Sequence, residues 1–248
     1  MATPIGNLQD ITLRALEVLK SVDLIACEDT RHSGQMLAHF NIKKPLVSYF
    51  QHSKLSKIEY ICAQLFEGRD IALITDAGTP GISDPGQALI SKIREISNFQ
   101  FPIFNQIPND KLVNDKINEK WEMKNEKSDR VNIIPIPGAS ALAAAASVSG
   151  MIEKEFYFAG FLPKKKGRQT KFKALAKLEC PIIIYESANR LERTLEDVRT
   201  YLGENARVFI AREATKAFEE YRQNSVKNIL SDIKNYTLKG EVTLIVSR

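Results

Sequence analysis

Thr75-Asp76-Ala77-Gly78-Thr79-Pro80-Gly81-Ile82-Ser83-Asp84-Pro85-Gly86 stands between two apolar patterns of different period. Before it, Ile71, Ala72, Leu73 and Ile74 form the short continuous run of a buried strand. After it, Ala88, Leu89, Ile93 and Ile96 recur at helical spacing. The twelve residues are therefore a strand-to-helix loop. Asp84 followed by Pro85 predicts the helix start, because a carboxylate caps free N–H groups and proline at the first helical position forfeits no hydrogen bond. Gly78, Gly81 and Gly86 allow sharp turning and close approach of backbone to a ligand at the carboxyl end of a strand, where open parallel sheets bind ligands. The same glycines also suit a tight turn with no ligand. The spacing is not Gly-x-Gly-x-x-Gly, and no Gly-Lys-Ser/Thr follows, which argues against a nucleoside triphosphate.

Working outward, Leu24 to Cys27 is a short strand that runs into Glu28-Asp29-Thr30-Arg31-His32, and Leu46 to Phe50 is a further strand. Polar residues gathered at the carboxyl end of a strand belong in a crevice, and a carboxylate pair beside Arg31 suits a proton acceptor or a grip on a substrate hydroxyl. Leu13, Leu16 and Leu19 mark an early helix; Ile58, Ile61, Cys62 and Leu65 mark another that ends at Gly68. Alternating strands and helices predict a parallel sheet with right-handed crossovers. Ile133-Ile134-Pro135-Ile136-Pro137-Gly138 reads as the next strand, leading through Gly138-Ala139-Ser140 into an alanine-rich helix from Ala141 to Val148.

A boundary is expected near Gly150 to Lys154, giving domains at 1–152 and 153–248. The second holds strands at Phe156 to Leu162, Ile182 to Tyr185, Val208 to Ala211 and Val242 to Val246. Its helices are placed around Thr170 to Leu178, Leu191 to Leu202 and Val226 to Ile233. Residues 97–130 form an insertion whose Asn, Lys, Asp and Glu content argues for mobility, although Phe99, Phe101, Phe104 and Trp121 offer docking groups.

Charge is uneven. Residues 1–150 hold 16 Lys/Arg against 17 Asp/Glu, whereas 151–248 hold 19 against 13, within a net charge of +5. Lys164, Lys165, Lys166, Arg168, Lys171 and Lys173 fall within ten residues with no acid among them, a pattern that suits a phosphate backbone or a solvated surface. The three cysteines are widely spaced and the three histidines scattered, which predicts reduced thiols and no metal site. No apolar run approaches the length of a membrane span and no signal-peptide pattern opens the chain, so a cytoplasmic protein without membrane contact is expected.

TPIGNLQDIT at 3–12, EDTRH at 28–32, TDAGTPGISDPG, PIPGASA at 135–141, YESANR at 185–190 and REATK at 212–216 together resemble the tetrapyrrole methylase superfamily, in its branch of ribosomal RNA small subunit methyltransferases I. The resemblance implies two α/β domains of that type with S-adenosylmethionine in the cleft between them. It implies cofactor contacts at Pro4, Ala77, Gly78, Thr79, Ile82, Ser140, Ala141, Glu186 and Ala214, and transfer to the ribose 2'-oxygen of a cytidine, position 1402, in 16S rRNA. Asp29, Asp76 and Glu186 are the acid candidates for catalysis. Arg31, Lys164, Lys165, Lys166, Arg168, Lys171 and Lys216 are the candidates for RNA, with the small ribosomal subunit and a second copy of the chain as partners. The family carries an apolar first strand ahead of TPIGNL that is absent here, and a soft first domain with fraying contacts at Pro4 and Gly6 is the expectation. A methyltransferase for a tetrapyrrole-like small molecule and an inactive RNA-binding relative are the alternatives.

Overall fold

A computed structural model describes residues 1–50, 55–99, 131–235 and 239–248. The chain divides into two compact units that do not follow it linearly. The first comprises Met1, Leu13–Asp76 and Asp84–Ile136; the second comprises Ala2–Thr12, Ala77–Ser83 and Pro137–Arg248.

In the first unit β1 (Leu24–Cys27) lies between β2 (Leu46–Ser48) and β3 (Ile71–Leu73), all parallel. Every residue of β1 is buried, as a central strand covered on both faces requires. Leu24 and Ala26 point into a core with Val47, Tyr49, Ile58, Ile61, Cys62, Leu89 and Ile93, contributed by β2, α3 (Leu55–Phe66) and α4 (Gln87–Phe99). The early helix, α1 (Leu13–Ser21), buries Ala15 and Leu19, whereas Leu13 is exposed. Six residues turn a helix to about 120° off register, so Leu13 and Leu19 cannot share a narrow buried face. α2 (Thr30–His39) follows β1, with Asp29 as its cap.

Two expectations shift here. α4 begins at Gln87, with the Ile90 N–H bonded to Gly86 O at 2.9 Å, so Pro85 lies ahead of the helix instead of at its first position. Residues 133–138 form no strand. Pro135 and Pro137 lack N–H donors on alternate residues, which removes one edge of any ladder, and Ile134 is left exposed. From residue 100 onward the 97–130 insertion, with Trp121, lies outside the described residues.

The second unit is built on a mixed sheet of order β4-β5-β8-β6-β7, where β4 is Tyr157–Phe161, β5 Ile182–Ser187, β6 Arg207–Arg212, β7 Glu220–Ser225 and β8 Glu241–Ser247. β4 runs parallel to β5, and the other pairs are antiparallel. Alternate residues serve two cores. Ile182, Ile184, Val208, Ile210, Val242, Leu244 and Val246 meet α6 (Arg168–Leu175), α7 (Ala188–Leu202) and α8 (Val226–Ser231) on one face. Ile183, Phe209, Ala211 and Ile245 meet Ala145 of α5 (Ala141–Ser149) and Met151 on the other. Among the described residues no helix is long and apolar enough to cross a membrane.

Candidate functional site

Three sequence-distant loops are joined within the second unit. Thr3 and Gly78 exchange both backbone hydrogen bonds, Thr3 N to Gly78 O at 2.8 Å and Gly78 N to Thr3 O at 3.0 Å, in an isolated antiparallel bridge. Gly78 sits at φ +82°, the left-handed region that favours glycine. The Thr79 hydroxyl donates to Ala139 O at 3.1 Å, bringing in the loop that precedes α5. Ser140 caps that helix by position, yet its hydroxyl makes no capping bond, while the Leu142 N–H is taken by the Tyr185 hydroxyl at 2.9 Å. Pro4, Ala77, Gly78, Thr79, Ser140 and Ala141 are thereby drawn together through direct bonds between their loops. Pro4 and Gly78 are buried, Ala77 is exposed, and Ile82 is 39% exposed.

The Ala214 segment meets the opening loop from another direction. The Asn7 N–H donates to Thr215 Oγ1 at 3.2 Å. A Cβ on Gly6 would collide with Lys216 Cγ and approach Thr215 Oγ1 to 2.9 Å, so only glycine lets the two segments close. Thr215 holds φ +66° and Glu213 φ +51°, a conformation that a β-branched residue rarely accepts. Nothing in the composition of REATK signals this strain, and the hydrogen bonds made by Tyr185 and Thr215 are contacts that the sequence leaves unmarked.

In the first unit the acids converge at the carboxyl ends of β1 and β3. The Asp29 N–H donates to Asp76 Oδ1 at 3.1 Å, and the Asp76 N–H donates to the Glu28 carboxylate. The Asp29 side chain also accepts from Arg31 Nε at 3.2 Å and Nη2 at 2.8 Å, and this guanidinium holds its carboxyl well below the usual range. Asp29 is consequently a fixed negative charge, a poor proton acceptor, and its pairing occupies Arg31. Burial, with Asp76 adding to it, pushes Glu28 up instead. Glu28 is therefore the group in EDTRH whose basicity the fold raises. Among the described residues no group of three or more His, Cys, Asp or Glu is arranged to hold a metal ion.

Three further candidates change character. Glu186 is only 1% exposed; its carboxylate accepts from the Thr194 hydroxyl at 2.8 Å and the Ser187 N–H at 2.9 Å and pairs with Arg190 at 3.1 Å, which leaves no open face for a catalytic proton. Arg168 is not on the basic surface: it is buried, with all three guanidinium nitrogens bonded inside the protein. Lys216 is paired with both Glu213 at 3.0 Å and Glu241 at 2.9 Å, so its charge is already compensated. Lys164, Lys165 and Lys166 are exposed, and Lys171 lies over the Tyr157 ring with Nζ 3.0 Å from its hydroxyl.

Comparison with known proteins matches this architecture. The profile of the tetrapyrrole (corrin/porphyrin) methylases matches residues 2–108 and 112–230. A Synechocystis protein named ribosomal RNA small subunit methyltransferase I is 40% identical over all of this chain and 77% of its own length. Among solved structures, a cobalt precorrin-4 methyltransferase of cobalamin biosynthesis superimposes with a TM-score of 0.63 at 15% identity, over 100% of this chain and 92% of its own. A uroporphyrin-III C-methyltransferase from Thermus thermophilus, complexed with S-adenyl homocysteine, gives 0.60 at 12% identity, over 100% and 95%. At that identity the structural likeness bears on the fold, and the sequence likeness carries the rest: this chain belongs to the ribosomal RNA small subunit methyltransferase I family of the tetrapyrrole methylases.

Proposed function

We propose that the protein methylates the ribose 2'-oxygen of a cytidine in 16S rRNA, using S-adenosylmethionine. The carrying observation is the 40% identity, over the whole chain, to a relative named for methylating small-subunit ribosomal RNA. The converged loops of the second unit fit the cofactor chemically. The Ser140 hydroxyl, which makes no capping bond at the start of α5, suits a carboxylate, and Ala77 beside the Thr3–Gly78 bridge is exposed. Pro4, Ala77 to Thr79, Ile82, Ser140, Ala141 and Ala214 are the residues that would hold it. When bound, S-adenosylmethionine supplies an electrophilic sulfonium methyl.

The protein's own task is to align the hydroxyl and receive its proton as the oxygen takes the methyl group. Glu28 is the acceptor this reading favours, since burial and Asp76 raise its basicity, while Asp29 stays ionised against Arg31 and Asp76 orients the pair. Lys164, Lys165, Lys166 and Lys171 meet RNA phosphates in a small ribosomal subunit, in the cytoplasm where such subunits are found.

The test is incubation with methyl-labelled cofactor and small subunits lacking this modification, followed by nuclease digestion and mass spectrometry of the RNA. Label on a ribose 2'-oxygen is the expected result. Label absent from RNA but present on an added uroporphyrinogen would replace this reading with the small-molecule one. Cofactor binding without transfer to either would leave a non-catalytic RNA-binding protein.

A further inference from the structure

The loop Lys164-Lys165-Lys166-Gly167 rises from two consecutive carbonyls, and each accepts from a different guanidinium. Arg190 Nη2 donates to Leu162 O at 2.8 Å, and Arg168 Nη1 donates to Pro163 O at 3.2 Å. Both arginines are tied to acids beneath. Arg190 Nε lies 3.1 Å from Glu186 Oε1, and Arg168 Nε donates to Asp197 Oδ2 at 2.6 Å. Thr194 joins the two halves: it accepts from Arg168 Nη2 at 2.8 Å and donates to Glu186 Oε2 at 2.8 Å. Two cations, two anions and one hydroxyl thus form a closed, charge-balanced network in which Arg168, Glu186 and Thr194 are all buried.

Such a network gains little stability over well-packed apolar side chains, because desolvation offsets the attraction. Its conspicuous effect is geometric. A planar guanidinium donates in several fixed directions at once, which a lysine in its place would not reproduce. The amino foot of the loop is pinned by the two carbonyl bonds. The carboxyl foot is pinned by α6, whose Phe172 and Leu175 sit in the core, with Gly167 at φ +80° making the turn. Three exposed lysines are therefore displayed on a backbone held at both ends.

We propose that Arg168, Arg190, Thr194 and Glu186 form a clamp that presets the Lys164–Gly167 loop for phosphate, making them positioning residues for RNA binding. Presetting a loop lowers the ordering cost that binding would otherwise incur. The proposal rests on the reading above that these lysines meet RNA phosphate.

The test is a cycle of variants binding unmethylated small subunits, with S-adenosylmethionine affinity as a parallel readout. Arg190→Gln is expected to weaken subunit binding at least about threefold, a coupling of the size found between residues in one network. It should leave cofactor affinity unchanged. Lys164→Gln/Lys165→Gln/Lys166→Gln is expected to weaken binding further and to flatten its salt dependence by about two in logarithmic slope, as three lost phosphate contacts require. Adding Arg190→Gln to that triple variant should change nothing more. Additive losses, an unaltered Arg190→Gln affinity, or a matching fall in cofactor affinity would each overturn the clamp. A triple variant that binds normally would overturn the phosphate reading itself, and the clamp with it. If Arg190→Gln melts below the assay temperature, Thr194→Val, which keeps every charge and removes only the bridging hydroxyl, takes its place with the same outcomes.

Discussion

At Gly78 the limiting factor is backbone conformation, not space. A Cβ there would meet Ile5 Cγ2 at 3.5 Å and Ala139 O at 3.9 Å, both ordinary contacts, but the residue holds φ +82°. Gly78→Ala should therefore lower stability by about 1 to 2 kcal/mol, the left-handed penalty, and weaken cofactor binding through the displaced loop. Calorimetric titration with S-adenosylmethionine beside a thermal melt checks both. Glu28 offers a test with a pH sign. Its folded pKa is raised above the ordinary value, so the fold favours the neutral form; the penalty is absent below the unfolded pKa and grows as pH rises through the folded one. Glu28→Gln should accordingly raise the melting temperature near pH 8, leave it unchanged near pH 3.5, and reduce the rate of methyl transfer. An equal shift at both pH values would mean that the carboxyl is not perturbed. The sequence shows that carboxylates gather in EDTRH, but not which one. Asp29 and Glu28 are adjacent and chemically alike, and two features of the fold separate them: Arg31 folds back onto Asp29, while Glu28 is partly buried beside Asp76. Arg168 teaches the same lesson. Its place in a run of cations says surface, while its three internal bonds put it inside.

Among the elements, the strands with both faces covered were legible because they are continuous apolar runs. Leu24–Cys27 in the first unit and the interior of β5, β6 and β8 in the second all announce themselves in this way. β7 was not legible. Glu220-Tyr221-Arg222-Gln223-Asn224-Ser225 has no apolar alternation, since it is an edge strand paired on one side to β6, and pairing supplies what burial does not. Tyr221 is its one large anchor, stacked on Phe209 with ring centroids 6.1 Å apart. Tyr221→Ala should lower stability by about 1 kcal/mol, in the range of a cross-strand aromatic pair, measurable by urea titration. By contrast Leu195 of α7 is fully buried against the sheet, and Leu195→Ala should lower stability by about 2 to 5 kcal/mol. The failed strand at 133–138 is the converse of β7. Its apolar residues satisfy the hydrophobic pattern while its prolines remove the donors that a ladder needs.

For the molecule as a whole, the order of motifs was readable and the way the chain is shared between units was not. A division at one point near residue 152 is what a linear reading of strands and helices suggests. The compact units instead assign Ala2–Thr12 and Ala77–Ser83 to the body formed mainly by Pro137–Arg248. The responsible contacts, Thr3 with Gly78 and Asn7 with Thr215, span 75 and 208 residues and leave no periodic trace. A fragment beginning at Pro137 should thus melt well below the second unit of the full chain, and adding a peptide of residues 2–12 should recover part of the loss. A fragment that melts like the full chain would show that the two early segments contribute little.

The bond between Asn7 and Thr215 also orders events in time. Synthesis delivers Asn7 208 residues ahead of its partner Thr215. During that interval the segment can bridge to Gly78 through Thr3, but Asn7 still lacks its partner. The junction of Asn7 with Thr215 should therefore be among the last contacts of a newborn molecule to form, and activity should lag behind the appearance of helical structure during refolding.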